Sequence, residues 1–404
     1  MRTRCLLVLL VLVSACRGQG RSPSLDADAT SALDGVLQGA VEDGSLPGVV
    51  ALVLNRDRVL YEGAFGVMDE VGQEPMQRDA IFQIFSMTKP ITSVGVMMLV
   101  EEGSIGLDEP VSRYLEEFEG REVLVSVDTA SDEVVTRPAN RPVTVRDLLR
   151  HTSGIGYTFA SYELQDWVAA SGRSVLAQPL LHDPGSRWTY GASTYFLGRI
   201  IEEVSGESLD RFLTARILGP LEMHDTSYDL RPDASGRFVA LYNRTESGLD
   251  GVAPPESYQP SVRGDGGLLS TADDYARFVR MILREGEAGG IRFLSPETIA
   301  QMATNQLEGI TVSLQPGALP AVSSAFPIGA GRDGFGLGFQ ISAGEPGGRA
   351  PGSLSWAGLR NTHFWIDPET GLGVVFLTQV LPFYDDSVMK ALTDFERTLY
   401  DHVE

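Results

Sequence analysis

Ser86 and Lys89 lie in the stretch Phe82-Gln83-Ile84-Phe85-Ser86-Met87-Thr88-Lys89-Pro90-Ile91. A hydroxyl and an amine three residues apart share one face of a helix. Pro90 fits a first helical turn, where its missing N–H would be unbonded in any case. The apolar run Ile91 to Val100 continues the helix, and Gly103 stops it. Ser86 is therefore predicted at a helix N-terminus, whose positive end suits an oxygen that must develop negative charge. The chemistry this points to is attack by a serine, with a lysine as proton acceptor. The chain has 32 Lys plus Arg, yet only Lys89 and Lys390 are lysines. Arginine keeps its proton in proteins, whereas a desolvated lysine can give it up. Serine and lysine at this spacing are common by chance, so the rest of the chain has to carry the reading.

Other routes to a hydrolase lack their parts. There is no G-x-S-x-G elbow. The five histidines (His151, His182, His224, His363 and His402) form neither H-x-H nor H-E-x-x-H, so the ligand spacing of a zinc hydrolase is missing. His151 reads as a turn residue. Tyr190, in Pro184-Gly185-Ser186-Arg187-Trp188-Thr189-Tyr190-Gly191-Ala192, is the better partner. A phenol is a poor base at its ordinary pKa, but a lysine ammonium beside it would favour the phenolate.

Four motifs occur in order: Ser86-Met87-Thr88-Lys89, Leu148-Leu149-Arg150-His151-Thr152-Ser153-Gly154, Pro184 to Tyr190, and Gly264-Asp265-Gly266-Gly267-Leu268-Leu269-Ser270-Thr271. Together they resemble the serine β-lactamase-related superfamily of class C β-lactamases, D-Ala-D-Ala peptidases and family VIII carboxylesterases, from about Ala32 to the C-terminal helix. The resemblance implies an α+β fold, an antiparallel sheet flanked by helices beside a helical subdomain. It implies that Ser86 is acylated and that Lys89 and Tyr190 share the proton work. It places the oxyanion at the backbone N–H groups of Ser86 and Leu359, and substrate contacts at Trp356, Ala357, Gly358 and Ala192. It implies no cofactor and no metal.

Two departures bear on the substrate. β-Lactamases carry K-T-G or a close variant on a strand, and this chain has none. Trp356-Ala357-Gly358 stands there instead, similar to the W-G-G segment of family VIII esterases. An indole offers one donor and no charge. Arg360 offers a cation nearby, so carboxylate recognition stays open on sequence alone. Tyr190-Gly191-Ala192 replaces Y-x-N, and Ala192 cannot hydrogen-bond a substrate amide. The resulting expectation is cleavage of small carboxylic esters. The alternative is a β-lactamase, D-Ala-D-Ala carboxypeptidase or D-aminopeptidase acting on cell-wall-related substrates. A catalytically silent penicillin-binding or scaffold protein is the third reading, and the intact Ser86, Lys89 and Tyr190 argue against it.

The chain has 404 residues, 43% of them hydrophobic, enough for a large core. A formal charge of −22 argues against a nucleic-acid surface. Arg2 and Arg4, the apolar run Cys5 to Val13, and Val13-Ser14-Ala15-Cys16 resemble a lipoprotein signal; the rival reading is an ordinary signal peptide cut nearby that releases the protein. Residues 1–15 are expected to be removed, Cys16 lipidated, residues 16–30 a tether, and residues 31–404 the hydrolase domain. The expected address is the cell envelope, on the periplasmic side of the outer membrane, with the membrane as partner through the lipid. Only Cys5 and Cys16 are cysteines, so the body of the chain can form no disulfide within itself.

Hydrophobic periodicity predicts a helix around Leu33 to Val41, a hairpin of Val49 to Leu54 with Val59 to Phe65, and a short helix over Val111 to Phe118. It predicts capped helices after Thr144, Thr271 and Ser295, and a helix around Phe196 ended by Gly206. Residues from about Gly120 to Pro142 read as an insertion with two β-like pieces, and those from about Gln306 to Gly334 as a long loop. Strands are predicted over Phe335 to Ile341, Leu354 to Trp356, Thr362 to Ile366 and Gly373 to Thr378, then a helix from Asp385 to Val403.

Overall fold

The computed structural model describes residues 22–69, 73–252, 258 and 260–404. The signal segment and Cys16 lie outside the described residues. Among these residues no helix is long and apolar enough to cross a membrane.

The two ends of the chain build one antiparallel sheet. Its main strands are β1 (Gly48–Leu54), β2 (Val59–Asp69), β3 (Leu354–Gly358), β4 (Thr362–Asp367) and β5 (Leu372–Leu377). They run in the spatial order β3-β4-β5-β1-β2. Val50 sits opposite Leu377 on one side and Ala64 on the other, so the N-terminal hairpin is stitched directly to the C-terminal strands. β1 and β5 are buried throughout because both faces are covered. On one face Val374 and Phe376 meet α1 (Ala27–Glu42), through Leu33 and Leu37, and the C-terminal α6 (Asp386–His402), through Val388, Leu392 and Phe395. On the other face Val375 and Leu377 belong to the larger core with α2 (Thr88–Glu101) and α5 (Ala272–Leu283). α2 lies at the centre of that core, and twelve of its fourteen residues are buried, which leaves it no polar face. Beside it packs α4 (Ser193–Ser205), ended by Gly206 in the left-handed conformation, and α3 (Val145–Leu149) packs on α4.

α3 is short and is fixed at its start by charge. Thr144 Oγ1 accepts from the Asp147 N–H, and Asp147 accepts from the Thr144 N–H. The Asp147 carboxylate is completely buried; it pairs with Arg141 and Arg150 and accepts from the Thr152 hydroxyl. Burial raises its pKa, but these donors outweigh burial and hold it below the usual carboxylate value. Its contribution is therefore present above the ordinary carboxylate range and fades as pH falls through the lowered value. Asp147→Ala would leave two arginines facing an empty position. The expected cost is about 3–5 kcal/mol, read as a lower midpoint in urea or thermal unfolding at pH 7; an unchanged midpoint would contradict this role.

Four local expectations need correction. The expected tether is docked from residue 23 onward: the Pro23 carbonyl accepts from Asn55 and the Ser24 N–H donates to Glu404. The first helix starts at Ala27, because the Asp26 side chain caps the Ala29 N–H. Val111 to Phe118 forms two 3-10 turns rather than one helix. Phe335 to Ile341 is a tight hairpin, Gly334–Phe335 against Gln340–Ile341. Gly338, at φ +101°, and Gly336, where a Cβ would sit 2.0 Å from the Met302 carbonyl oxygen, turn it. The two β-like pieces of the 120–142 region pair as a hairpin, Glu122–Asp128 with Glu133–Pro138. Residues 306–333 contain no helix or strand, and Gly334 opens the Gly334–Phe335 strand.

Candidate active site

Ser86 is set by a sharp reversal. Phe82–Gln83 pairs with Leu269–Ser270, and the Ile84 N–H donates to the Leu268 carbonyl. Phe85 then adopts φ +44°, a region aromatic residues seldom enter. The 3-10 turn Phe85–Met87 runs straight into α2, with Pro90 in its first turn. Thr88 Oγ1 accepts from the Leu268 N–H, and the Tyr275 hydroxyl donates to the Met87 carbonyl. The reversal is thus fixed from both sides.

One turn on, the Lys89 amine is 2.9 Å from Ser86 Oγ, 3.2 Å from the Tyr157 hydroxyl and 2.8 Å from the Asp265 carbonyl oxygen. Three contacts match the three donors of an ammonium. Lys89 is only 2% exposed. Burial pulls its pKa down to about 7; the Asp265 carboxylate opposes the shift and Arg263 adds to it. Near neutral pH a large share of the amine is therefore unprotonated. Two N–H bonds can then stay on Tyr157 and Asp265 while the lone pair faces the serine.

Two tyrosines flank the amine, and their protons differ. The Tyr157 hydroxyl donates to the Asp265 carboxylate, so its proton is committed. Tyr190 receives the Trp356 indole N–H at 3.4 Å and has Lys89 Nζ 4.8 Å from its ring centroid. Burial pushes the Tyr190 phenol up, and the donated hydrogen bonds only reduce that rise. This runs against the expectation of a phenolate favoured by the ammonium, because burial outweighs the groups that would lower the phenol. Tyr157 and the Arg263–Asp265 pair were missed from sequence. Tyr157 lies three residues beyond the His151-Thr152-Ser153-Gly154 motif, and Asp265 lies inside another motif, so position was the available signal.

The remaining residues stand as follows. Trp356, on β3, packs on Tyr190 at 4.9 Å between ring centroids. Gly358 ends β3 against the Ser86 turn: a Cβ there would sit 2.3 Å from the Ile84 carbonyl oxygen, so only glycine allows this approach. Leu359 follows directly, and Ala357 is buried beside it. Ala192 caps α4 two residues after Tyr190 and is fully buried. His151, buried at φ +57° with its carbonyl holding the Thr189 N–H, packs on Tyr190; burial and Lys89 keep it far below the ordinary imidazole pKa, hence neutral. Arg360 donates to the Tyr242 carbonyl and to Asn243, which engages the one cation sequence left open for a substrate carboxylate. Phe326, from the 306–334 segment, meets the Tyr190 ring edge-on, and Gln315 of the same segment accepts the Tyr190 N–H. A cavity of about 250 Å³ lies against β3 and β4 on the α6 side. It is lined by Trp356 and Ala357 but by none of Ser86, Lys89 and Tyr190, so it adjoins the reacting groups without containing them. Among the described residues no group of three or more His, Cys, Asp or Glu is placed to hold a metal ion.

A helix-flanked antiparallel sheet, with serine and lysine one turn apart at the start of a buried helix, defines the β-lactamase/transpeptidase-like fold. The Beta-lactamase family model matches residues 33–397, and the chain belongs to that family. It is 29% identical to esterase EstB of Burkholderia gladioli over 400 residues, covering 88% of this chain and 92% of that protein. It is 30% identical over 410 residues to monacolin J acid methylbutanoyltransferase of Aspergillus terreus, covering 93% and 96%. A solved LovD6 mutant of the simvastatin synthase LovD from Aspergillus terreus superposes with a TM-score of 0.80 at 28% identity, covering 93% of this chain and 95% of that one. The family thus joins hydrolases and acyltransferases on one fold.

Proposed function

We propose that this chain is a serine esterase that works through an acyl-enzyme on Ser86. The observation that carries the reading is the buried Lys89 amine 2.9 Å from Ser86 Oγ, with its pKa lowered to about 7. Ser86 Oγ attacks the ester carbonyl carbon while the neutral Lys89 takes its proton. The backbone N–H groups of Ser86 and Leu359 hold the oxyanion. The tetrahedral intermediate collapses, the C–O bond to the alcohol breaks, and the alcohol takes a proton from the Tyr190 hydroxyl, which Lys89 replenishes. Water then attacks the acyl carbon and gives a proton to Lys89; as the tetrahedral intermediate collapses, the C–O bond to Ser86 breaks, Ser86 Oγ takes that proton back from Lys89, and the acid leaves.

The walls around Tyr190 favour an uncharged substrate with an apolar part. They are Trp356, Phe326, Tyr157 and His151, the last of these neutral. The lack of K-T-G, the alanine at position 192 and the engaged Arg360 argue against a β-lactam or a peptide carboxylate. The second reading is transfer of the acyl group to an alcohol in place of water, favoured by the methylbutanoyltransferase relative. We further propose export, with removal of residues 1–15, lipidation of Cys16 and attachment in the cell envelope.

Purified protein is expected to hydrolyse short p-nitrophenyl acyl esters at least about 100-fold faster than a chromogenic cephalosporin, a difference of about 2.7 kcal/mol in transition-state binding. Cephalosporin turnover above ester turnover would overturn the ester assignment. Adding a simple alcohol and measuring new ester separates hydrolysis from transfer.

A further inference from the structure

Arg263-Gly264-Asp265 is built into the fold more firmly than a loop requires. The Thr92 hydroxyl on α2 donates to the Gly264 carbonyl at 2.8 Å, and Tyr228 donates to the Arg263 carbonyl at 2.7 Å. A Cβ on Gly264 would sit 2.4 Å from the Thr194 carbonyl oxygen of α4, so the segment is pressed between the two helices. The Asp265 side chain is 3% exposed and held by both branches of the Arg263 fork, at 2.8 and 2.9 Å, while the guanidinium lies over the Tyr195 ring. Asp265 meets the Lys89 amine twice, directly through its carbonyl and indirectly through the Tyr157 hydroxyl, which donates to its carboxylate.

Resting on the acyl-enzyme reading above, we infer that Asp265, braced by Arg263, is a positioning residue for the reaction at Ser86. Through its carbonyl and through Tyr157 it occupies two directions of the Lys89 amine and leaves the third, toward Ser86, for proton exchange. By taking the Tyr157 proton it also makes Tyr157 a pure acceptor from Lys89, so that only Tyr190 can relay a proton to the leaving group. Its negative charge sets the pH range over which the amine works.

The groups facing Lys89 are Ser86 on its own turn, Tyr157, Asp265 with Arg263, the Tyr190 ring and the neutral His151. Of these, Asp265 and Arg263 carry charge, and they act in opposite directions. Asp265 favours the ammonium and Arg263 disfavours it. Turnover requires the neutral amine, so kcat/KM rises with pH through the Lys89 pKa of the free enzyme. Asp265→Asn removes the stabilising charge and should move this limb to lower pH, by about one unit or more. Arg263→Gln removes the opposing charge and should move it to higher pH.

The test is the pH profile of kcat/KM for a p-nitrophenyl ester with wild type, Asp265→Asn and Arg263→Gln, with the fraction of Ser86 acylated measured by mass in parallel. Shifts of opposite sign are the expected result, because a general loss of packing lowers the plateau and leaves the limb in place. Wild-type and variant limbs that coincide while Ser86 is acylated would overturn the inference and leave the esterase reading standing. If Ser86 is not acylated in the wild type, the esterase reading itself fails. If Asp265→Asn does not fold, the upward shift in Arg263→Gln decides alone, and an unmoved or downward limb there overturns the proposal.

Discussion

Ser86→Ala is expected to lower ester turnover by about 10⁴-fold or more while leaving the thermal midpoint nearly unchanged. The attacking oxygen is lost, and nothing nearby can replace it. Tyr190 is held neutral by burial, the Tyr157 proton is committed to Asp265, and no cysteine lies in the body of the chain. What survives is oxyanion stabilisation and binding, which retain only a small share of a nucleophilic enzyme's power. The fold should tolerate the change because Ser86 is only partly buried and the reversal around it is fixed by Leu268 and Tyr275. Steady-state kinetics on a p-nitrophenyl ester, read with a thermal melt, check both halves. Activity within tenfold of wild type would remove Ser86 from the mechanism.

Lys89→Arg is expected to cost about 10²–10⁴-fold in kcat/KM, the range that one positioned proton acceptor supplies. Arginine keeps a positive charge but cannot give up its proton. A charge-only role for Lys89 would survive the change and a base role would not. In the wild type, kcat/KM should rise from acid pH with a midpoint near 7, since burial lowers the amine to that value and the proposed mechanism uses its unprotonated form. The limb should be absent from any residual activity of Lys89→Arg. A limb still centred near 7 in that variant would assign it to another group.

Much of the fold was legible where side-chain period and end signals agree. The hairpin of β1 and β2, the strands β3 to β5, the capped helices after Thr144, Thr271 and Ser295, and the placement of Ser86 beside a helix start all follow such signals. The first helix was placed too late because Asp26 to Ser31 holds no large apolar residue, so its periodicity begins only at Leu33. Phe335 to Ile341 looked like one strand because Gly336 and Gly338 sit among large apolar residues; the turn they make depends on the approach of Met302 from elsewhere in the chain. The Leu241–Thr245 and Gly248–Val252 hairpin went unread, its residues being mostly polar or small.

At the site, Ser86, Lys89, Tyr190 and Trp356 could be named because each stands in a motif, and the structure places them side by side. The direction of the Tyr190 pKa could not be read that way. Sequence shows a cation near a phenol, but not that burial outweighs the donated hydrogen bonds. Tyr157 and Asp265, 108 residues apart, share a hydrogen bond only after the chain folds. Their types gave no reason to pair them beforehand.

The proposed chemistry turns on a covalent acyl-enzyme on Ser86. The most direct measurement is the mass of intact protein quenched in acid during turnover of a p-nitrophenyl ester, followed by peptide mapping. A mass increase equal to one acyl group is expected, located on the peptide containing Ser86 and absent from Ser86→Ala. Turnover with no adduct, or with an adduct on another residue that persists in Ser86→Ala, would contradict it.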